Sequence, residues 1–242
     1  MAPARGEPKE YHAILDRVHD WSSDTRSLFL RLPSGISLPF DPGQFVSLAL
    51  PVGDRPPLVR AYSLASSPED GSLLEVCVDR VPGGVGSGWL FGLAPGAEVP
   101  LTGPFGSFKL VEPPATPLVF VAQGTGIAPI RPMVRRALAS GDRAIAVLQG
   151  GAVASPLVYG EELTALASAN PALQWEAVLA PPGTAVTDNP RLEQVVRERY
   201  VEADGNRARH FWICAVGALA TRLRDLLRSA GYERRAVRCE KW

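Results

Sequence analysis

A change of residue pattern near position 115 is the feature that most constrains the fold. Before it, short runs alternate apolar and polar residues, as at Leu28, Leu30 and Leu32, which is typical of antiparallel strands with one buried face. Three prolines at 113–117 then interrupt regular structure. After them, continuous apolar runs such as 118–122 alternate with helical patterns, as in a parallel sheet buried on both faces. The sequence therefore predicts two domains, residues 1–112 and 113–242.

The two patterns predict a two-domain β + α/β fold. The first domain is expected to be a six-stranded antiparallel barrel, with strands near 13–19, 27–32, 44–50, 60–64, 74–79 and 97–101. The second is expected to be a doubly wound parallel sheet. Its strands are expected at 118–122, 144–148, 175–179 and 211–216, its helices at 130–139, 160–169, 191–200 and 219–230, and a last strand at 235–241.

Composition excludes several classes of function. The 25 basic and 25 acidic residues balance, which argues against a nucleic-acid partner. The first ten residues have no apolar core and the longest uncharged stretches contain glycine and proline, so we expect no signal peptide, no membrane span and a cytoplasmic protein. Cys77, Cys214 and Cys239 are too few for a four-cysteine iron–sulfur cluster, and the three histidines lack metal-ligand spacing. Any iron–sulfur centre is expected on a partner.

Four short signatures rich in glycine and hydroxyl residues follow one another along the chain. Each alone is a common turn, but glycines that open a helix let backbone amides approach a phosphate. An arginine two residues before a tyrosine on one strand face can hold a phosphate and a flat ring together. The signatures are Arg60-Ala61-Tyr62-Ser63, Gly83-Gly84-Val85-Gly86-Ser87, Gly103-Pro104-Phe105-Gly106-Ser107-Phe108 and Gly124-Thr125-Gly126-Ile127-Ala128-Pro129.

Together, over nearly the whole chain, these signatures resemble the ferredoxin–NADP reductase superfamily. The resemblance implies a flavin-binding barrel that holds FAD, followed by an NAD(P)-binding domain. It implies that Tyr62 and Ser63 line the isoalloxazine, while Arg60-Ala61 and the loop Gly84-Val85-Gly86-Ser87 hold the FAD pyrophosphate.

The resemblance extends to the nicotinamide half. Gly124-Thr125-Gly126-Ile127 with Arg131 is similar to the loop that binds the nicotinamide dinucleotide, although Gln123 stands where many members have glycine. Cys214 resembles the cysteine of a cysteine–glycine–proline turn whose thiol approaches the nicotinamide. Ala215 and Val216 depart from that turn.

The last residues, Glu240-Lys241-Trp242, are similar to the end of plant-type members. There a terminal aromatic stacks on the isoalloxazine, so Trp242 is expected to do so and to move out before hydride transfer, while Glu240 exchanges a proton or holds the carboxamide.

Cofactor preference depends on the end of the second parallel strand. Residues 149–155 include neither a cation nor an acid, which favours NADH over NADPH, although Arg131, Arg191 or a loop residue could supply a cation.

The resemblance implies an FAD-dependent oxidoreductase that transfers hydride between NAD(P)H and the flavin N5 and single electrons to or from a ferredoxin-like or other iron–sulfur protein. Its expected catalytic residues are Ser63, Cys214, Glu240 and Trp242. Two alternatives stay open: an oxygenase or flavin reductase on the same fold, and a flavin-bearing electron-transfer subunit or redox sensor of a larger complex.

Overall fold

A computed structural model describes residues 8–53, 56–153, 156–184, 187–203 and 205–241. The chain divides into two compact units. The first comprises Met1–Val111 and Arg131–Met133, and the second comprises Glu112–Ile130 and Val134–Trp242. Within the described ranges, none of the helices has the length and apolar character needed to cross a membrane.

The first unit contains six antiparallel strands in the spatial order β4-β3-β6-β1-β2-β5. An antiparallel bridge between Leu64 and Val76 joins the two outer strands, so the sheet closes on itself. This confirms the predicted six-stranded antiparallel barrel. Its elements are β1 (Lys9–Asp20), β2 (Thr25–Arg31), β3 (Phe45–Leu50), β4 (Leu58–Ser63), β5 (Leu73–Asp79), α1 (Val85–Gly92) and β6 (Glu98–Phe105).

The apolar side chains of the period-two pattern fill the interior of the barrel. One apolar cluster buries alternate side chains of the barrel strands, for example Leu28 and Leu30 of β2 and Val46 and Leu48 of β3. Because alternate residues of a strand point to opposite faces, this cluster fixes the register of each strand. Leu90 of α1 packs into the same cluster and anchors that short helix to the barrel.

The second unit contains a five-stranded parallel sheet in the order β11-β10-β7-β8-β9. The chain runs outward from β7 to β9 and then returns to β10 on the other side of β7. This confirms the doubly wound sheet, whose strand order reverses beside β7. Its elements are β7 (Leu118–Gln123), α2 (Ile127–Ala139, apart from the three residues Arg131–Met133 that belong to the first unit), β8 (Ile145–Ala152), α3 (Gly160–Ala169), β9 (Leu173–Ala180), α4 (Pro190–Arg197), β10 (His210–Ala215), α5 (Leu219–Ser229) and β11 (Val237–Lys241).

Most elements differ from their predicted bounds by a few residues, and three of these differences arise from an adjoining short turn. Helix α2 begins at Ile127 rather than at residue 130, because the short 3₁₀ turn Gly124–Gly126 leads directly into it. Helix α4 ends at Arg197 and continues as the π-helical turn Glu198–Glu202. The last strand starts two residues later than expected, because a 3₁₀ turn at Arg234–Ala236 precedes it.

Candidate cofactor sites

In the barrel unit, Arg60 lies beside the glycine loop that begins α1. A side-chain carbon added at Gly86 would lie 3.1 Å from Leu50, 3.3 Å from Leu58 and 3.8 Å from Arg60 Cγ. The absence of a side chain at Gly86 therefore lets the start of α1 approach β4 closely. The Arg60 guanidinium is exposed, and its Nη1 donates to the carbonyl of Val59 at 2.9 Å. The sequence-predicted arginine and glycine loop are thus neighbours in space.

The hydroxyl of Ser87 shapes that loop from within. It accepts a hydrogen bond from the amide of Val81 at 3.0 Å and lies 3.2 Å from the carbonyl of Gly84, to which it can donate. Gly84 is the N-cap residue of α1, and Gly83 has a φ of +69°, which glycine adopts without strain. The first amides of α1 have no intrahelical acceptor, so they point toward whatever lies before the helix. A phosphate there would meet backbone amides as well as Arg60.

Tyr62 and Ser63 are the last two residues of the barrel strand β4. Tyr62 is half-buried and packs against the barrel core, and burial raises the pKa of its hydroxyl although nearby Arg60 opposes the rise. Its ring is therefore held by the core on one side. Strand alternation places Tyr62 and Arg60 on one face of β4, as the sequence predicts.

In the second unit, the glycine turn after β7 lies against the end of β10. A side-chain carbon at Gly126 would overlap the carbonyl oxygen of Cys214, so only glycine permits this approach. Gly124 has a φ of +57° and open space around its Cα. These residues occupy the carboxyl edge of the sheet where the strand order reverses, which is where doubly wound sheets bind ligands.

Glu240 belongs to the same edge. It is the register partner of Cys214 on the neighbouring parallel strand β11. Burial raises the pKa of the Glu240 carboxyl from 4.5 to about 7. The structure thus brings together the predicted Gly124-Thr125-Gly126 turn, Cys214 and a carboxyl group that titrates near neutral pH.

Arg131 and Trp242 are two further predicted site residues. The Arg131 guanidinium donates to Glu75 at 2.6 Å and to the carbonyl of Ala65 at 2.9 Å, which occupies Nη1 with partners in the protein. Trp242 lies outside the described residues, so its predicted stacking stays a prediction.

Sequence reasoning missed three buried side-chain amides at the carboxyl edge of the second sheet. Gln149 donates to the carbonyl of Val158 at 2.8 Å and accepts from the Trp175 indole at 3.1 Å. Asn189 donates to Gln123 at 3.2 Å and caps α4. The available signals were Asn189-Pro190, a common helix start, and Gln123 at a position where glycine was expected.

Each half of the chain matches a known protein-family model. Residues 12–110 match the "Oxidoreductase FAD-binding domain" and residues 120–225 match the "Oxidoreductase NAD-binding domain". The chain belongs to the ferredoxin reductase-like family of flavoproteins.

Individual relatives agree with this assignment. Ferredoxin–NADP reductase B of Sorangium cellulosum is 33% identical over 242 residues, covering 98% of this chain and 99% of that protein. The reductase subunit of an aromatic O-demethylase from Amycolatopsis is 42% identical over 137 residues, 54% of this chain and 39% of that subunit. The crystal structure of the Amycolatopsis cytochrome P450 reductase GcoB superposes with a TM-score of 0.84 at 30% identity, over 97% of this chain and 70% of that one.

As a member of the ferredoxin reductase-like family, the chain is a flavoenzyme with an FAD-binding and an NAD(P)-binding domain. The residues present fit FAD. Arg60 is exposed beside the start of α1, so its guanidinium and the first amides of α1 could both bind a pyrophosphate. Tyr62, half-buried on the same side of β4, offers a ring face to the isoalloxazine. When bound, FAD supplies the exchange between two-electron and one-electron transfer.

Proposed function

We propose that this reductase uses NADH in preference to NADPH and delivers single electrons to an iron–sulfur protein, either a ferredoxin-like carrier or an oxygenase component. The NADH preference rests on the end of β8, where Gly150, Gly151 and Ala152 offer no charged side chain. The 2′-phosphate of NADPH needs a cation there. Arg135, on α2, already binds Glu162 at 2.9 Å, and Arg131 binds Glu75.

Support for the electron acceptor comes from the relatives. They include a ferredoxin–NADP reductase, the reductase subunit of an aromatic O-demethylase and the electron transfer component of toluate 1,2-dioxygenase. In this proposal the iron–sulfur centre belongs to the acceptor, since the three separated cysteines in these 242 residues are too few for a four-cysteine cluster.

In this proposal the chain's own residues bind FAD and the nicotinamide dinucleotide and orient them. Arg60 and the amides of Val85, Gly86 and Ser87 hold the FAD pyrophosphate, while Tyr62 and Ser63 contact the isoalloxazine. The Gly124–Gly126 turn holds the nicotinamide dinucleotide, with Cys214 beside the nicotinamide. Glu240 holds or releases a proton near neutral pH at the same edge.

The test is an anaerobic titration of the FAD-loaded protein with NADH and, separately, with NADPH, followed by addition of an oxidised ferredoxin. We expect bleaching of the flavin absorption at lower NADH than NADPH, and reoxidation of the flavin by the ferredoxin. Equal response to both nucleotides would contradict the NADH preference. No bleaching by either would favour the electron-transfer subunit or redox sensor, which the altered Cys214-Ala215-Val216 turn makes the alternative function.

A further inference from the structure

Asn189 spans three strands at the carboxyl edge of the second sheet. Gln123, Gly150 and Val178 form one row across β7, β8 and β9, because each is the register partner of the next. The Asn189 Nδ2 donates to Gln123 Oε1 at 3.2 Å and to the Val178 carbonyl at 2.9 Å, the two ends of that row.

Gly150 makes room for this bridge. A side-chain carbon at Gly150 would overlap Gln123 Oε1 and lie 2.9 Å from Asn189 Nδ2. The two amides therefore occupy the space above the middle strand that a side chain would otherwise fill. Gln123 is 3% exposed and Asn189 is fully buried, so their hydrogen bonds do not compete with bulk water.

Both ends of the pair are attached to backbone that matters for binding. Gln123 directly precedes Gly124, the first residue of the glycine turn. Asn189 Oδ1 accepts the amide of Leu192 at 3.1 Å, which fixes Asn189 at the start of α4. The connection that precedes α4 also approaches the loop after β10, since a side-chain carbon at Gly217 would lie 3.4 Å from the Thr187 carbonyl.

We propose that Gln123 and Asn189 are positioning residues for the nicotinamide dinucleotide: Asn189, acting through Gln123, fixes the start of the Gly124–Gly126 turn in the shape that binds the pyrophosphate. A turn rich in glycine has many accessible conformations, and an anchored residue immediately before it reduces them. The inference rests on the proposed placement of the dinucleotide at this edge.

The informative variant is Gln123→Ala in the FAD-loaded protein. It leaves Asn189 bonded to Val178 and to Leu192, and alanine readily adopts the extended backbone of position 123 (φ −122°, ψ 126°). We expect ADP-ribose, which contains the pyrophosphate, to bind about 5- to 10-fold more weakly, which is the order of magnitude that a buried hydrogen bond contributes. AMP, which lacks the pyrophosphate, should bind as to the wild type. The matched control is Gln174→Ala, an exposed glutamine at the other end of β9.

Coupling between the two residues is tested by Asn189→Asp. Aspartate keeps the acceptor for the Leu192 amide but loses the donor to Gln123 and to the Val178 carbonyl, and the second loss is the same in both backgrounds. If Asn189 acts through Gln123, this substitution weakens ADP-ribose binding alone but causes no further weakening in the Gln123→Ala background. Thermal unfolding of each variant reports separately on stability.

Three results would overturn the inference: unchanged ADP-ribose affinity in Gln123→Ala, equal weakening of ADP-ribose and AMP, or additive effects in the double variant. A wild-type protein that binds ADP-ribose but is not bleached by NADH or NADPH would contradict the proposed function and leave this inference standing. A wild type that binds no ADP-ribose would overturn both.

Discussion

Cys214 and Glu240 are register partners on the adjacent parallel strands β10 and β11. Paired residues of parallel strands project from the same face of the sheet, so a thiol and a carboxyl belong to one edge of the candidate site. Cys214 is fully buried, and burial raises the pKa of Glu240 to about 7. The charge at this edge therefore changes within the physiological pH range.

Replacing Glu240 by Gln should change how stability depends on pH. Because the folded-state pKa is raised from 4.5 to about 7, the stability that the neutral carboxyl provides is complete below pH 4.5 and is lost as pH rises through 7. Glutamine does not titrate. We therefore expect Tm of Glu240→Gln to exceed that of the wild type by a few degrees at pH 8, with a smaller difference at pH 5. Partial exposure of the carboxyl limits the size of the effect.

Thermal unfolding monitored by circular dichroism at both pH values measures this difference. Glu202→Gln, at an exposed carboxyl in the same unit, controls for the removal of one carboxyl group from this unit. Parallel pH curves for Glu240→Gln and the wild type would show that Glu240 does not titrate near neutral pH.

Cys214→Ala should slow the reduction of the flavin by NADH by about tenfold, because small displacements of reacting groups have large effects on rate. Stopped-flow absorbance measures the rate, and the FAD content should be unchanged. Cys239→Ala is a matched control, since Cys239 packs with α5, where its Sγ lies 3.4 Å from the Ala220 carbonyl. A wild-type reduction rate and cofactor affinity in Cys214→Ala would return this thiol to a packing role.

Gly126→Ala should disrupt the nicotinamide site. The added methyl group would overlap the Cys214 carbonyl oxygen, and such overpacking costs about 1–3 kcal/mol. We expect a lower Tm and at least tenfold weaker binding of NAD, measured by flavin difference absorbance. Gly205→Ala is the control in the same unit, because no neighbouring atom would lie within 4 Å of the added side-chain carbon, and it should behave as the wild type. Unchanged NAD binding in Gly126→Ala would exclude this turn from the site.

Arg60→Ala should weaken FAD binding by about tenfold or more, because a charge-assisted hydrogen bond contributes about 1.5–3 kcal/mol. Fluorescence of FAD released on dilution measures the affinity. Arg31→Ala removes another exposed arginine of the barrel, one that binds Asp16, and should retain FAD. Equal retention in both variants would remove Arg60 from the FAD site.

Much of the fold could be predicted because its periodicity is local. Leu28 and Leu30 indicate a strand without any knowledge of their partners, and the apolar run at 118–122 indicates a buried parallel strand. The start of α2 at Ile127 was missed because a glycine-rich 3₁₀ turn precedes it and has no periodic pattern of its own.

The site was predictable only where it lies in a continuous motif. The Gly124-Thr125-Gly126 turn is contiguous, whereas its approach to Cys214 depends on the pairing of β7 with β10, some 90 residues apart. The bond between Asn189 and Gln123 is similarly distant in sequence. Arg131 could not have been assigned to Glu75 from the sequence, because an ion pair between distant residues has no local pattern.

The pairing of the barrel strands determines when this unit can fold during synthesis. Strand β6 lies between β1 and β3 and hydrogen-bonds to both. Until Phe105 has left the ribosome, β1 and β3 each have an edge that lacks its final neighbour, and exposed strand edges promote association between nascent chains. The barrel is therefore completed by its last strand, and a nascent chain that stops short of β6 exposes the two edges that β6 would cover.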